Sequence, residues 1–296
     1  MNRVSRRLAG AVRGLSLLCL CLAGLGGTAH AARPLPKPAQ LAEGGSRQGW
    51  VLAGRNHSLA LRTDGTVWAW GDNTHGQLGH GEFRNQVTPT RVSGMRLTTD
   101  FAAGFTHSLA VTPPNGTVWA WGDNSAGQLG NGTTDAQPAP VLVPGLQDVK
   151  AVAAGVGASY ALKNDGTVWA WGENSSRQLG DGTRVNRRTP VKVLHGAPVV
   201  ALASGASHAL ARTADGTVWS WGLGTHGRLG NGAETLSLVP VAWTAPAGSP
   251  VVSISAGTDH SVATLADGSV LSWGSAALGQ LCQGGSAHRG TPAPIW

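Results

Sequence analysis

The 296-residue chain is poor in the residues that usually announce chemistry. It has three cysteines, and two of them, Cys19 and Cys21, fall in the first 21 residues. Cys282 stands apart, so no intramolecular disulfide framework is expected in the folded part. Charged residues make up only 12% and are spread thinly. The one basic cluster, Arg184, Arg187 and Arg188, is too short for a nucleic-acid footprint and reads as a solvated loop. Long amphipathic stretches with apolar residues at three- and four-residue spacing are missing, which argues against a helical protein. There is no Gly-Lys-Ser/Thr phosphate loop, no nucleophile elbow and no Ser-His-Asp set, so the sequence offers no catalytic constellation. No cofactor is expected.

The N-terminus has its own character. Residues 1–14 carry Arg3, Arg6, Arg7 and Arg13 and no acid, residues 15–27 are small and apolar, and Ala29-His30-Ala31 follows. That order reads as a secretory signal peptide over 1–31, cleaved before Ala32. The apolar stretch is short for a span, which needs ~20 residues. The whole chain carries +7, but without these residues 18 basic groups face 15 acidic ones, a net +3. Residues 32–49, rich in Pro and Gly, read as a linker.

What is abundant is Gly (44) and Trp (12), and both recur in phase. The strand GTVWAWG occurs at 65–71, 116–122 and 166–172, GTVWSWG at 216–222 and GSVLSWG at 268–274. The steps between the second tryptophans, Trp70, Trp121, Trp171, Trp221 and Trp273, are 50 to 52 residues. A fixed period of this length means one supersecondary unit copied in series. The repeats run about 50–96, 97–147, 148–197, 198–248 and 249–296.

Each repeat opens on an apolar run ending in Gly. Two variable residues follow, then His57, His107, Ala158, His208 or His260. Asp-Gly or Asn-Gly then separates two β-rich runs, the strongest short hairpin signal. The returning Trp strand is apolar on both faces, as expected of a strand packed on both sides. A loop of the form Gly-Gln-Leu-Gly comes next, with Leu78, Leu129, Leu179, Leu229 and Leu281 expected to plug it onto the sheet. In the last copy Cys282 replaces its second Gly. Pro89, Pro140, Pro190, Pro240 and Pro292 then mark an outer strand, because Pro is confined to edges and strand starts. Four strands per repeat is one propeller blade.

The order AGxxHSLAL, DGTVWAWG, NxxGQLGxG and PxxV resembles the regulator of chromosome condensation repeat family, over residues 50–296. The resemblance implies an all-β propeller, which in that family usually has seven blades. Here about five four-stranded blades are recognisable, so the ring is expected to be incomplete. Pro38-Ala39-Gln40-Leu41 stands 32 residues before Trp70, as Pro89 stands 32 before Trp121, which suggests a stray outer strand within the linker. An unclosed edge would invite self-association.

Function is harder to read. The four histidines share one repeat position. They are expected to tie turns by ring-nitrogen hydrogen bonds rather than to ligate a metal, since no Cys or carboxylate pattern accompanies them. Asp72, Asp123 and Glu173 read as turn residues. The eukaryotic namesake exchanges nucleotide on a small GTPase through an inserted hairpin, for which the spacing here leaves no room. The sequence therefore points to an exported, secreted or periplasmic, non-enzymatic scaffold for a protein or cell-surface ligand. It would bind no nucleic acid, and no membrane after cleavage. Its binding positions are expected among the variable turn pairs: Arg55-Asn56, Phe105-Thr106 and Thr258-Asp259, with Val156-Gly157 and Ala206-Ser207 at the same place. The alternatives are an intracellular exchange-type regulator of a small GTPase, or a truncated propeller without independent function.

Overall fold

The structure is a computed structural model that describes residues 49–193, 197–245 and 249–295. The expected leader over 1–31, and the linker over 32–49 with its stray strand apart from Gly49, lie outside the described residues.

Among the described residues, twenty strands form five sheets. The first contains β1 (Trp50–Ala53), β2 (His57–Leu61), β3 (Val67–Gly71) and β4 (Gln86–Arg91). The second contains β5 (Asp100–Ala103), β6 (His107–Thr112), β7 (Thr117–Gly122) and β8 (Gln137–Leu142). The third is β9 (Val149–Ala154), β10 (Ala158–Lys163), β11 (Val168–Gly172) and β12 (Arg187–Lys192). The fourth is β13 (Val199–Ser204), β14 (His208–Thr213), β15 (Val218–Gly222) and β16 (Ser237–Trp243). The fifth is β17 (Val251–Ala256), β18 (His260–Leu265), β19 (Val270–Gly274) and β20 (Arg289–Pro294).

Every sheet is antiparallel and takes its strands in chain order. The hairpin between β2 and β3 turns on Asp64-Gly65. Gly65 has φ +79°, and the Thr66 amide donates to Asp64 Oδ1 at 2.9 Å. The same Asx-type contact holds at Asp165 and Asp215. The first strands of the five sheets surround a common axis with a narrow space of about 70 Å³, lined by Leu52, Phe101, Val152, Leu202 and Ala256 among others.

The core lies between sheets rather than within one. Four clusters of buried side chains join first to second, second to third, third to fourth and fourth to fifth. Among the described residues none joins the fifth to the first, so the propeller is not closed. From the second sheet onward, the Trp before the strand's final Gly fills the wedge in front of the preceding sheet. Trp121, Trp171, Trp221 and Trp273 are fully buried, each removing ~150–250 Å² from water. The first Trp of the strand (Trp68, Trp119, Trp169 and Trp219) is only half-buried. The leucine plugs are buried as the sequence implies. Because each sheet is built from consecutive strands, the break in the ring exposes a sheet face.

Candidate functional site

The joint between successive sheets accounts for the recurring polar residues. The carbonyl of Gln77, in the loop of the first sheet, accepts from the Trp121 indole Nε1 and from Ser108 Oγ, both at 2.9 Å. Ser108 Oγ has thereby donated its proton and accepts from His57 Nε2 at 3.0 Å. The second joint repeats this: Gln128 O takes Trp171 Nε1 and Ser159 Oγ, and His107 Nε2 reaches Ser159 Oγ at 2.9 Å. In the fourth, Arg228 O takes Trp273 and Ser261, and His208 Nε2 reaches Ser261 Oγ at 2.9 Å. His57, His107 and His208 therefore bridge one blade to the next, across 51 to 53 residues, rather than tying a local turn.

The third joint is informative by contrast. Ala158 stands where the His would be and Ala209 where the Ser would be. Both partners are missing together, so neither is left orphaned. The Tyr160 hydroxyl, of the same sheet as the acceptor, fills the second donor place on Gln178 O at 2.6 Å from within the third repeat, while Trp221 Nε1 crosses from the fourth sheet at 2.8 Å.

Burial sets the charge state of these rings. His57 and His107 are pushed down to about 4 and His208 to about 3, in each case chiefly by loss of solvation. The neighbouring His107 lowers His57 further, and Arg228 lowers His208. These are neutral structural groups at pH 7. The glycine before four of the turns, Gly54, Gly104, Gly205 and Gly257, is dictated by the same ring. A Cβ on Gly54 would lie 2.4 Å from His57 Cε1 and 2.5 Å from the Gly104 carbonyl of the next sheet.

With His, Ser, Trp and Gln engaged in joints, the variable turn residues are left facing outward. Their backbones help to hold the ring: the amides of Arg55, Phe105 and Val156 donate to Gly104, Gly155 and Ala206 of the next sheet. Since the main chain makes that contact, the side chains can vary. Arg55 is exposed and Phe105 half-buried, and the Arg55 guanidinium lies 5.4 Å from the Phe105 ring centroid. Beside them opens a groove of about 460 Å³ over the first three sheets, lined by Arg55, Phe105, Thr106, Asp123, Val156 and Glu173 among others.

The structure thus gathers Arg55, Phe105 and Thr106 of the predicted positions. Asn56 lies outside the groove lining, and its carbonyl accepts the Asp72 amide. Thr258 and Asp259 sit on the fifth sheet, away from this groove, where Asp259 Oδ1 accepts weakly from Gln280 Nε2 at 3.4 Å. Sequence reasoning did not place Asp123 and Glu173 in the site. They follow the Trp-Gly strand and so emerge at the same end of the sheets as the turns, a signal that strand direction alone carries. Their capacities differ. Asp123 is filled by Ser125, Gln128 and Thr106. Glu173 accepts from the Ser175 hydroxyl through Oε1, which leaves Oε2 for a ligand.

An arc of four-stranded sheets around one axis, successive sheets latched through Trp and a Gly-rich loop, defines a β-propeller of the tryptophan-repeat kind. A family model described as the RCC1-like domain matches residues 23–295, and the chain belongs to that family. The human E3 ubiquitin-protein ligase HERC2 is 41% identical over 114 residues, 38% of this chain and 2% of that protein. Human Protein RCC2 is 42% identical over 90 residues, 29% of this chain and 17% of its own length. The chain therefore spans only a small part of these relatives. Among solved structures, human WBSCR16 aligns with a TM-score of 0.73 and 25% identity, over 83% of this chain and 66% of that one. Prp20p of Saccharomyces cerevisiae aligns with a TM-score of 0.70 and 26% identity, over 83% and 63%.

Proposed function

We propose that this RCC1-like propeller is an exported, non-catalytic scaffold that binds a protein partner through its turn face. The observation that carries the reading is the division of labour among polar residues. The repeated His, Ser and Gln are used in joints between blades, while Arg55, Phe105 and Glu173 vary between repeats and line one groove. A half-buried aromatic braced by a guanidinium is a suitable anchor for a contact, since aromatic and Arg residues dominate binding hot spots. The Glu173 carboxylate beside it suits a basic side chain on the partner. Export rests on the basic, apolar, Ala-x-Ala order of residues 1–31; cleavage before Ala32 would remove residues 23–31 of the family match and leave the rest.

The test has two parts. N-terminal sequencing of the native protein should begin at Ala32; an intact Met1 would refute export. Recovery of a partner from the exported fraction should fall by about tenfold with Phe105→Ala, the ~1.4 kcal/mol expected of a modest hot spot. Undiminished recovery removes this groove from consideration.

A second reading, regulation of a small GTPase inside the cell, is favoured by the similarity to Prp20p, which was characterised for its binding to Gsp1p and histones. Accelerated nucleotide release from a GTPase by the purified chain would support it.

A further inference from the structure

The break in the ring leaves the first sheet with a bare face. Ser58, Ala60 and Trp70 are half-buried there, whereas their counterparts Ser108, Ala110 and Trp121 are fully buried. Among the described residues no hydrogen bond reaches the Trp70 indole or the Ser58 hydroxyl. On the outer strand, Val87 occupies the position of Pro138, whose carbonyl accepts the Gly81 amide of the preceding sheet. Val87 is 98% exposed.

At each internal joint the equivalent face is covered by the loop and by the stretch that follows the outer-strand Pro. Val92 and Met95 pack in one cluster with Trp121, Val143 and Leu146 with Trp171, and Val193 with Trp221, while Trp243 lies edge-on to Trp273. Val92, Val143, Val193 and Trp243 each stand three residues after a Pro and 28 to 30 residues before the Trp they cover. Leu41 stands three residues after Pro38 and 29 before Trp70. The reach also fits: Leu41 precedes Trp50 by nine residues, and Val92 precedes the equivalent Asp100 by eight.

We propose that the bare face of the first sheet is the docking site of the chain's own segment Pro38–Leu41, with Leu41 seated over Trp70 as Val92 is over Trp121. The match to the family model supports this, since it begins at residue 23 and so takes in this segment. A second copy is a poorer occupant. Its free end is the loop of the fifth sheet, and there Cys282 replaces a Gly whose counterparts press on the next Trp. At Gly79, Gly130 and Gly230 an added Cβ would lie 2.7 Å from that indole Nε1. Cys282 carries such a Cβ, so Trp70 of another copy could not dock there in the same way. This assignment is independent of the groove on the turn face, and Leu41 survives cleavage before Ala32.

Amide hydrogen exchange on the full mature chain tests it. Leu41→Asp should accelerate exchange in β2 and β3 by about tenfold or more, the effect of losing one buried Leu contact, and leave the fourth and fifth sheets unchanged. Leu41→Val should stay within about twofold of wild type, because Val fills this place at three of the internal joints. Equal exchange in β2 and β3 for Leu41→Asp and wild type would overturn the proposal. So would protection of these strands that rises with protein concentration, the mark of a second copy on this face.

Discussion

Ser159→Ala, made alone and together with His107→Ala, probes the joint most directly. Ser159 Oγ donates to the Gln128 carbonyl at 2.7 Å and accepts from His107 Nε2 at 2.9 Å, in a fully buried site. Removing the hydroxyl strands the imidazole N–H. His107 Nδ1 already lacks a partner, so the ring would then have none. A buried donor left unsatisfied costs ~1–3 kcal/mol. His107→Ala instead removes the ring and leaves a cavity, and Ser159 keeps its bond to Gln128 O. In the double variant the cavity remains but no donor is orphaned, as at Ala158 and Ala209 of the third joint. The two changes should therefore couple, with the double variant less damaged than the sum of the singles by ~1–2 kcal/mol. Urea denaturation of all four proteins, followed by tryptophan fluorescence, closes the cycle. Additivity within ~0.5 kcal/mol would refute the argument, because the pair would then not act as one unit.

Acid should weaken the fold through its buried imidazoles. His57, His107 and His208 have folded pKa values of about 4, 4 and 3, below the usual 6.5. A lowered value means the unfolded chain binds more protons, so this stability is fully present above pH ~6.5 and is lost as pH falls towards ~4. Urea midpoints should drop between pH 7 and pH 5, and a His107→Ala chain should show a shallower drop; a flat profile would contradict the burial of these rings. Gly130→Ala, at φ +68° and with its new Cβ 2.7 Å from the Trp171 indole, should lower stability by several kcal/mol, since packing and backbone both object. Cys282→Gly, at φ +53° on the last loop, should instead raise it by ~1 kcal/mol; thermal melts of the two variants should move in opposite directions.

The local half of this structure was legible in the residues. The Trp strands, the Asp-Gly turns, the Leu plugs and the Pro-marked outer strands all depend on neighbours within about a dozen positions, and periodicity exposes them. The joints were not legible, because the partners that cross them lie 31 to 53 residues apart and one of them is a main-chain carbonyl with no sequence signature. One trace was present: the chain loses His at 158 and Ser at 209 together, one repeat apart. The groove was half legible. Variability pointed to Arg55, Phe105 and Thr106, but the same criterion selected Thr258 and Asp259, which another sheet holds away from them.

The acceptor at the centre of each joint belongs to the backbone, and this has a consequence for how such a chain can change. At the fourth joint Arg228 replaces Gln, yet its carbonyl still receives the Trp273 and Ser261 donors at 2.9 Å. No side-chain substitution can delete that oxygen. The acceptor itself is thus buffered against substitution of its own side chain, whereas the Trp and Ser donors opposite it can be lost by a single change. Repeats that keep the Trp donor could be duplicated, lost or exchanged while the neighbouring blade still finds its contact, which makes the number of blades easier to alter than the way they are joined.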